Sequence, residues 1–172
     1  MSTIARQALL SIETLLPNVS ATQCLAAEVA AQAQRGDVIA LSGDLGSGKT
    51  TFARYFLSAR GVEGEVPSPT FTLVQTYSVK PAAIWHFDLY RISTRDDALE
   101  LGIEEAFADG ISLIEWPDRL EDLLPSHRLD VDLSFVDSDE DARKAHLSGN
   151  DTWRKRLEAA GLGTLDRDRA KL

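Results

Sequence analysis

The sequence predicts an α/β fold in three layers, a mixed sheet with antiparallel strands flanked by helices. Residues 37–42 form a short apolar run of strand length, and residues 50–59 place Phe52, Tyr55, Phe56 and Ala59 at helical spacing. A glycine-rich turn over residues 43–49 joins the two. Residues 71–79 and 83–90 are rich in β-branched and aromatic side chains on either side of Lys80-Pro81, the pattern of an antiparallel hairpin.

Each element has a local signal. Ser20-Ala21-Thr22-Gln23 has the form of a capping box, and strong helix formers continue from Cys24 to Gln34 until Arg35-Gly36 closes the segment. Cys24, set among Leu25, Ala26 and Val29, is expected in the core. Pro67 and Pro69 hold their predecessors extended, so residues 66–70 are expected as a loop entering a strand. Residues 96–108 have a helical pattern capped by Thr94 or Ser93, with Gly102 a candidate break. Residues 111–114 form a compact apolar strand that turns polar at Glu115. Pro117 suits the first turn of a short helix over residues 118–124, stopped by Pro125. Leu129, Val131, Leu133 and Phe135 alternate with polar neighbours, as in a half-buried strand. The acidic run 137–141 is then an exposed turn, residues 145–147 a short edge strand, and residues 153–160 a last helix. One domain over residues 1–160 accounts for these elements, and residues 161–172 form a charged tail expected to fray.

Composition narrows the function classes. With 27 acidic against 18 basic residues the formal charge is −9, which excludes a broad electrostatic attraction to nucleic acid. Any service to nucleic acid chemistry is expected to run through a protein partner. The single cysteine cannot form an internal disulfide, which suits a reducing cytoplasm. No apolar stretch approaches the ~20 residues of a membrane span, and the first residues begin no basic-then-apolar signal segment. A cytoplasmic location without membrane contact is expected.

The chemistry is concentrated in Gly43-Asp44-Leu45-Gly46-Ser47-Gly48-Lys49-Thr50, which fits G-x-x-x-x-G-K-[ST] at every fixed position. Glycines let the backbone turn tightly and gather N–H groups around phosphate oxygens, while the following helix offers its positive N-terminal end. Lys49 would reach the β- and γ-phosphates of a nucleoside triphosphate, and the Thr50 hydroxyl would bind Mg²⁺. The fold expected is therefore P-loop NTPase-like, with ATP and Mg²⁺ held over residues Gly43 to Thr51. Such a site also needs carboxylates that hold the metal and position the attacking group. Glu115 follows its strand directly and should project at the sheet's carboxyl edge, where ligands bind in open α/β sheets. Asp88 shares one strand face with His86 and Tyr90. The residues alone leave the division of labour between Asp88 and Glu115 open.

Four segments, Gly43 to Thr51, Ser68-Pro69-Thr70-Phe71, His86 to Arg91 and Ile114-Glu115-Trp116-Pro117, together resemble the bacterial ATPase family TsaE, also called YjeE. Asp96 to Gly102 resembles it as well. The resemblance implies a small protein that binds and hydrolyses ATP with Mg²⁺ and assists the synthesis of threonylcarbamoyladenosine in tRNA. It would act with the TsaB–TsaD pair, whose catalytic subunit performs the transfer, and would reset or remodel that pair. It also implies that Ser68 and Thr70 belong to a switch-like loop sensing the γ-phosphate, and that Asp88 and Glu115 are functional carboxylates alongside Lys49. Trp116 would lie beside the nucleotide or the partner, with His86, Tyr90 and Arg91 supporting the switch or the partner contact. Ser47 stands where many relatives carry alanine, and Asp118 where many carry glutamate.

Three other functions compete, one of them a pure interaction module that binds nucleotide without hydrolysing it. A small-molecule kinase would use the same loop, but it usually closes cationic groups over the phosphates and no arginine cluster is evident. A GTP-dependent switch would carry an Asn-Lys-x-Asp segment, which this chain lacks.

Overall fold

The apolar runs lie side by side in one sheet. A computed structural model describes residues 10–162. In chain order the elements are β1 (Leu10–Leu16), α1 (Val19–Gln32), β2 (Val38–Ser42), α2 (Lys49–Ala59), β3 (Val74–Tyr77), β4 (Ile84–Asp88), α3 (Arg95–Glu100), α4 (Ile103–Asp109), β5 (Ile111–Glu115), a 3₁₀ segment (Pro117–Leu123), β6 (Leu129–Val136), β7 (Asp139–Gly149) and α5 (Asp151–Ala159). The sheet order is β1-β7-β6-β2-β5-β4-β3. β2 runs parallel to both β5 and β6, and β4 runs parallel to β5. β3 and β7 are antiparallel to their neighbours, so the sheet is mixed, as the sequence predicts.

Strands buried on both faces need apolar residues throughout, which is why β2 and β5 read as continuous runs. One face carries Ile39, Leu41, Leu113, Val131 and Leu147 against α1, α2 and α5. The other carries Val38, Phe87 and Ile114 against Ala98, Ile103 and Ala106 of α3 and α4. Helices therefore flank both faces, completing three layers. The central position of β2 puts the loop that follows it at the middle of the sheet's carboxyl edge.

Several local expectations are corrected. The cap of α1 is Asn18, whose Oδ1 accepts from the Ala21 N–H at 3.0 Å, so Ser20 lies inside the first turn. Cys24 is exposed, because Thr22, Leu25, Ala26, Val29 and Ala30 define the buried stripe and Cys24 falls outside it. On α2 the buried residues beside Phe52 and Phe56 are Ala53 and Leu57, and Ala59 is exposed. Residues 71–73 turn before β3, which keeps only four residues of the expected strand. Gly102, with φ +80°, divides α3 from α4, and the segment after Pro117 is 3₁₀ with a break at Glu121. The strand expected at 145–147 is the eleven-residue β7, interior between β1 and β6 because β1, unforeseen, covers its far side. The acidic run is exposed, but its turn is only Asp137-Ser138: residues 139–141 already belong to β7, where Asp139 pairs with Val136. The tail beyond Leu162 and the amino-terminal residues lie outside the described residues. Among the described residues no helix is long and apolar enough to cross a membrane.

Candidate functional site

The loop after β2 can exist only with glycine at Gly43. Its φ is +134°, and a Cβ there would lie 2.2 Å from the Leu133 carbonyl oxygen and 2.5 Å from Ser47 Oγ. Gly48, at φ +110°, is the N-cap of α2 and brings no side chain to the cap. The N–H groups of Lys49, Thr50 and Thr51 therefore have no intrahelical acceptor, the condition that makes a helix start an anion site. Lys49 Nζ donates to the carbonyl oxygens of Gly43 at 2.6 Å and Asp44 at 2.9 Å. It also sits 4.1 Å from the Trp116 ring centroid, a cation–π contact. Burial pushes the Lys49 pKa below the ordinary lysine value, against the opposing pull of the Glu115, Asp88 and Asp44 charges.

The carboxylates meet this loop from the neighbouring strand tips. Asp88 and Glu115 are direct partners in the parallel β4–β5 register. Glu115 continues the row Ile111, Leu113, and Asp88 the row Ile84, His86, so both project from the α2 face of the sheet. Glu115 is committed at both oxygens: Oε2 accepts from the Thr50 hydroxyl at 2.8 Å, and Oε1 pairs with His86 Nε2 at 2.8 Å. With the carboxylate ionised, Nε2 is the ring nitrogen that carries the proton. His86 is wholly buried behind Glu115, and its Nδ1 has no partner among the described residues. Asp88 faces a different set. Its Oδ2 accepts from the Thr70 hydroxyl at 3.2 Å and its Oδ1 from the Tyr90 N–H at 3.1 Å, while Thr70 shares a hydrogen bond of 2.7 Å with Ser68.

Between these groups lies a cleft of about 220 Å³ lined by the loop, Thr50, Thr51, Thr70, Asp88, Tyr90, Glu115 and Trp116. Its wall carries strain: Trp116 holds φ +59° with its ring 4.8 Å from that of Tyr90, and Leu73 in the turn behind Asp88 holds φ +66°. Leu73 donates from its N–H to the Pro69 carbonyl oxygen at 2.7 Å and accepts from the Asp88 N–H at 2.9 Å, which ties residues 69–73 to the tip of β4. No sequence signal marks a leucine for that conformation. Ser68 and Arg91 do not line the cleft; Arg91 rests on the Phe71 ring at 4.8 Å.

The residues fit a magnesium nucleotide. A bare glycine cradle, a lysine already coordinated by carbonyl oxygens and a free helix start form the phosphate side. Among the described residues no three His, Cys, Asp or Glu side chains cluster as a metal cage. A hydroxyl beside one or two carboxylates, completed by phosphate oxygens, is how Mg²⁺ is usually held; Thr50 would be that hydroxyl, with Glu115 or Asp88 as the carboxylate.

The model of the family described as "Threonylcarbamoyl adenosine biosynthesis protein TsaE" matches residues 16–145. The chain belongs to the TsaE family. The TsaE match runs from the end of β1 into β7 and takes in every site residue named above. A relative from Rickettsia bellii (strain RML369-C), called "tRNA threonylcarbamoyladenosine biosynthesis protein TsaE", is 38% identical over 135 residues, 76% of this chain and 92% of its own. One of the same name from Bacillus subtilis (strain 168) is 39% identical over 124 residues, 72% of this chain and 77% of its own. A solved structure titled "Crystal structure of Bacillus subtilus YdiB" superposes with a TM-score of 0.74 at 29% identity, covering 92% of this chain and 98% of that one. The TsaE fold is thus shared along nearly the whole chain, and it is a P-loop NTPase-like fold.

Proposed function

We propose that the chain binds ATP with Mg²⁺ and hydrolyses it as an accessory of tRNA threonylcarbamoyladenosine synthesis, acting on the TsaB–TsaD pair and reaching tRNA only through it. The observation that carries the ATPase reading is the 2.8 Å hydrogen bond from Thr50, the last residue of the loop motif, to Glu115 at the tip of β5. It joins a phosphate loop to a strand-end carboxylate across 65 positions of sequence, the arrangement that metal-assisted phosphoryl chemistry requires. The formal charge of −9 and the curated relatives' names support service to tRNA through protein contact.

The residues divide the work. Lys49 exchanges the Gly43 and Asp44 carbonyl oxygens for phosphate oxygens, and the N–H groups of Lys49 to Thr51 hold the remaining charge. Mg²⁺, when bound, neutralises charge that develops on the phosphates. Glu115 orients the Thr50 hydroxyl toward the metal position and is itself held by the buried His86, so both of its oxygens are tied to fixed side-chain partners. Asp88 is the better base: its partners are the Thr70 hydroxyl and one backbone N–H, groups that a γ-phosphate can draw away. In hydrolysis water attacks the γ-phosphorus, the bond to the β–γ bridging oxygen breaks with its electrons leaving on ADP, and Asp88 orients the water and accepts its proton.

Equilibrium binding with and without Mg²⁺ tests this assignment. The expected result is that Thr50→Val keeps metal-free ATP affinity but loses the gain that Mg²⁺ brings, whereas Lys49→Ala loses both. Full Mg²⁺ enhancement in Thr50→Val would overturn it.

A further inference from the structure

Three strand tips end on the sheet face that packs against α2. On β4 the row Ile84, His86, Asp88 and on β5 the row Ile111, Leu113, Glu115 change from apolar to acidic, and both acids have work in the proposed function. On β6 the row Leu129, Val131, Leu133, Phe135 stays apolar to its end. Leu133 is 1% exposed and Phe135 is 47% exposed. Phe135 keeps the register of core residues but overruns the core, so the chain leaves half of an aromatic ring open to solvent.

Its position is specific. The last rung joining β6 to β2 pairs Ser42 with Asp132, so residues 133–136 run on beside the glycine loop. Phe135 Cζ lies 3.9 Å from where a Gly46 Cβ would stand. Asp88, Glu115 and Thr70 approach the loop from the β5 and β4 side; Phe135 stands on the opposite, β6 side. Arg143, its register partner on β7, lays its guanidinium 4.6 Å from the ring centroid. That guanidinium is pinned in turn, because Nη1 donates to the carbonyl oxygens of Glu140 at 2.7 Å and Ala142 at 2.8 Å. A register shift between Phe135 and Val136 re-aims the end of the strand at this point.

A triphosphate whose γ-phosphate meets Lys49, Thr50 and the two acids must carry its nucleoside away from those acids. On the β6 side of the loop stand Phe135 and, stacked on it, Arg143. We propose that Phe135, backed by Arg143, is the stacking platform for the purine base of the bound nucleotide. The inference rests on reading the loop as an ATP site, and it supplies what the loop motif and the carboxylates do not, a seat for the base. An aromatic ring steadied by a cation offers its π surface to any planar base, so the pair contributes affinity without choosing adenine over guanine.

Calorimetric titration of the full chain with Mg·ATP, Mg·GTP and inorganic tripolyphosphate separates the base from the phosphates. Phe135→Ala is expected to weaken ATP and GTP alike by roughly tenfold, the loss of one base stack, and to leave tripolyphosphate affinity unchanged; Phe135→Trp is expected to keep ATP affinity. Phe135 is half exposed, and matching circular-dichroism melts would show that the alanine variant folds. Unchanged ATP affinity in Phe135→Ala would overturn the platform and assign the exposed ring to a protein contact. A parallel loss of tripolyphosphate affinity would also overturn it, as damage to the loop. A wild-type chain that binds neither ATP nor tripolyphosphate would instead overturn the nucleotide reading beneath it.

Discussion

Replacing His86 by phenylalanine removes the one side-chain donor that Glu115 has on its inner side among the described residues. The pair is 2.8 Å apart with side-chain exposures of 0% and 3%, so water cannot take the lost place. A hydrogen bond to a charged group contributes about 1.5–3 kcal/mol, and breaking a buried pair by removing one partner costs about 3–5 kcal/mol. Against this, His86 Nδ1 is a buried polar atom without a partner among the described residues, and phenylalanine removes that penalty of about 1–3 kcal/mol. The balance is a net loss of up to about 4 kcal/mol, which for a chain of this length lowers Tm by up to roughly 16 °C. Urea denaturation of the wild type, His86→Phe, Glu115→Gln and the double variant reads the coupling directly. The expected interaction energy is at least about 1 kcal/mol, and His86→Gln, which keeps an N–H donor, should recover part of the loss. Additivity of the two single variants within about 0.5 kcal/mol would refute the claim that His86 acts by holding Glu115.

Three further outcomes follow from the same geometry. Gly43→Ala drives a Cβ to 2.2 Å from the Leu133 carbonyl oxygen at φ +134°, so it should cost about 1–3 kcal/mol of stability and abolish ATP binding; wild-type affinity would show that the close approach is dispensable. Asp88→Asn should lower single-turnover ATP hydrolysis by about a hundredfold or more, as loss of a general base does, while leaving ATP affinity near wild type; an equal fall in affinity would make Asp88 a binding group. Burial lowers the Lys49 pKa in the folded chain, so between that value and ~10.4 the unfolded chain binds more protons, and stability rises with pH across the interval. Denaturation midpoints against alkaline pH should show this rise in the wild type relative to Lys49→Met, and identical slopes would contradict it.

What the sequence discloses here is local order. The strand 37–42, the glycine loop, the helix after it and the strand ending at Glu115 are each specified by adjacent residues, and they are the parts that build the site. The partnership of Thr50 with Glu115 spans 65 positions, so no local pattern announces it. β1 has an alternating signal in Leu10, Ile12, Thr14 and Leu16, weakened because Ile12 and Thr14 are only partly buried. β7 is eleven residues long with only Ala142, Ala145 and Leu147 buried, and it looks polar because its pairing is chiefly through backbone. Cys24 misleads because apolar neighbours in sequence do not share one face of a helix. The positive φ of Leu73 and Trp116 is imposed by tertiary packing around the cleft, against the preference of those residues.

The most direct test of the account is steady-state phosphate release from Mg·ATP by the purified chain, alone and with the cognate TsaB–TsaD pair, with Lys49→Ala as the blank. The account predicts hydrolysis that needs Lys49 and rises when the pair is added, because partner contact holds the Thr70 segment on the γ-phosphate and leaves Asp88 to the attacking water. ATP that binds normally but releases no phosphate above the blank, with an active pair present, would contradict it.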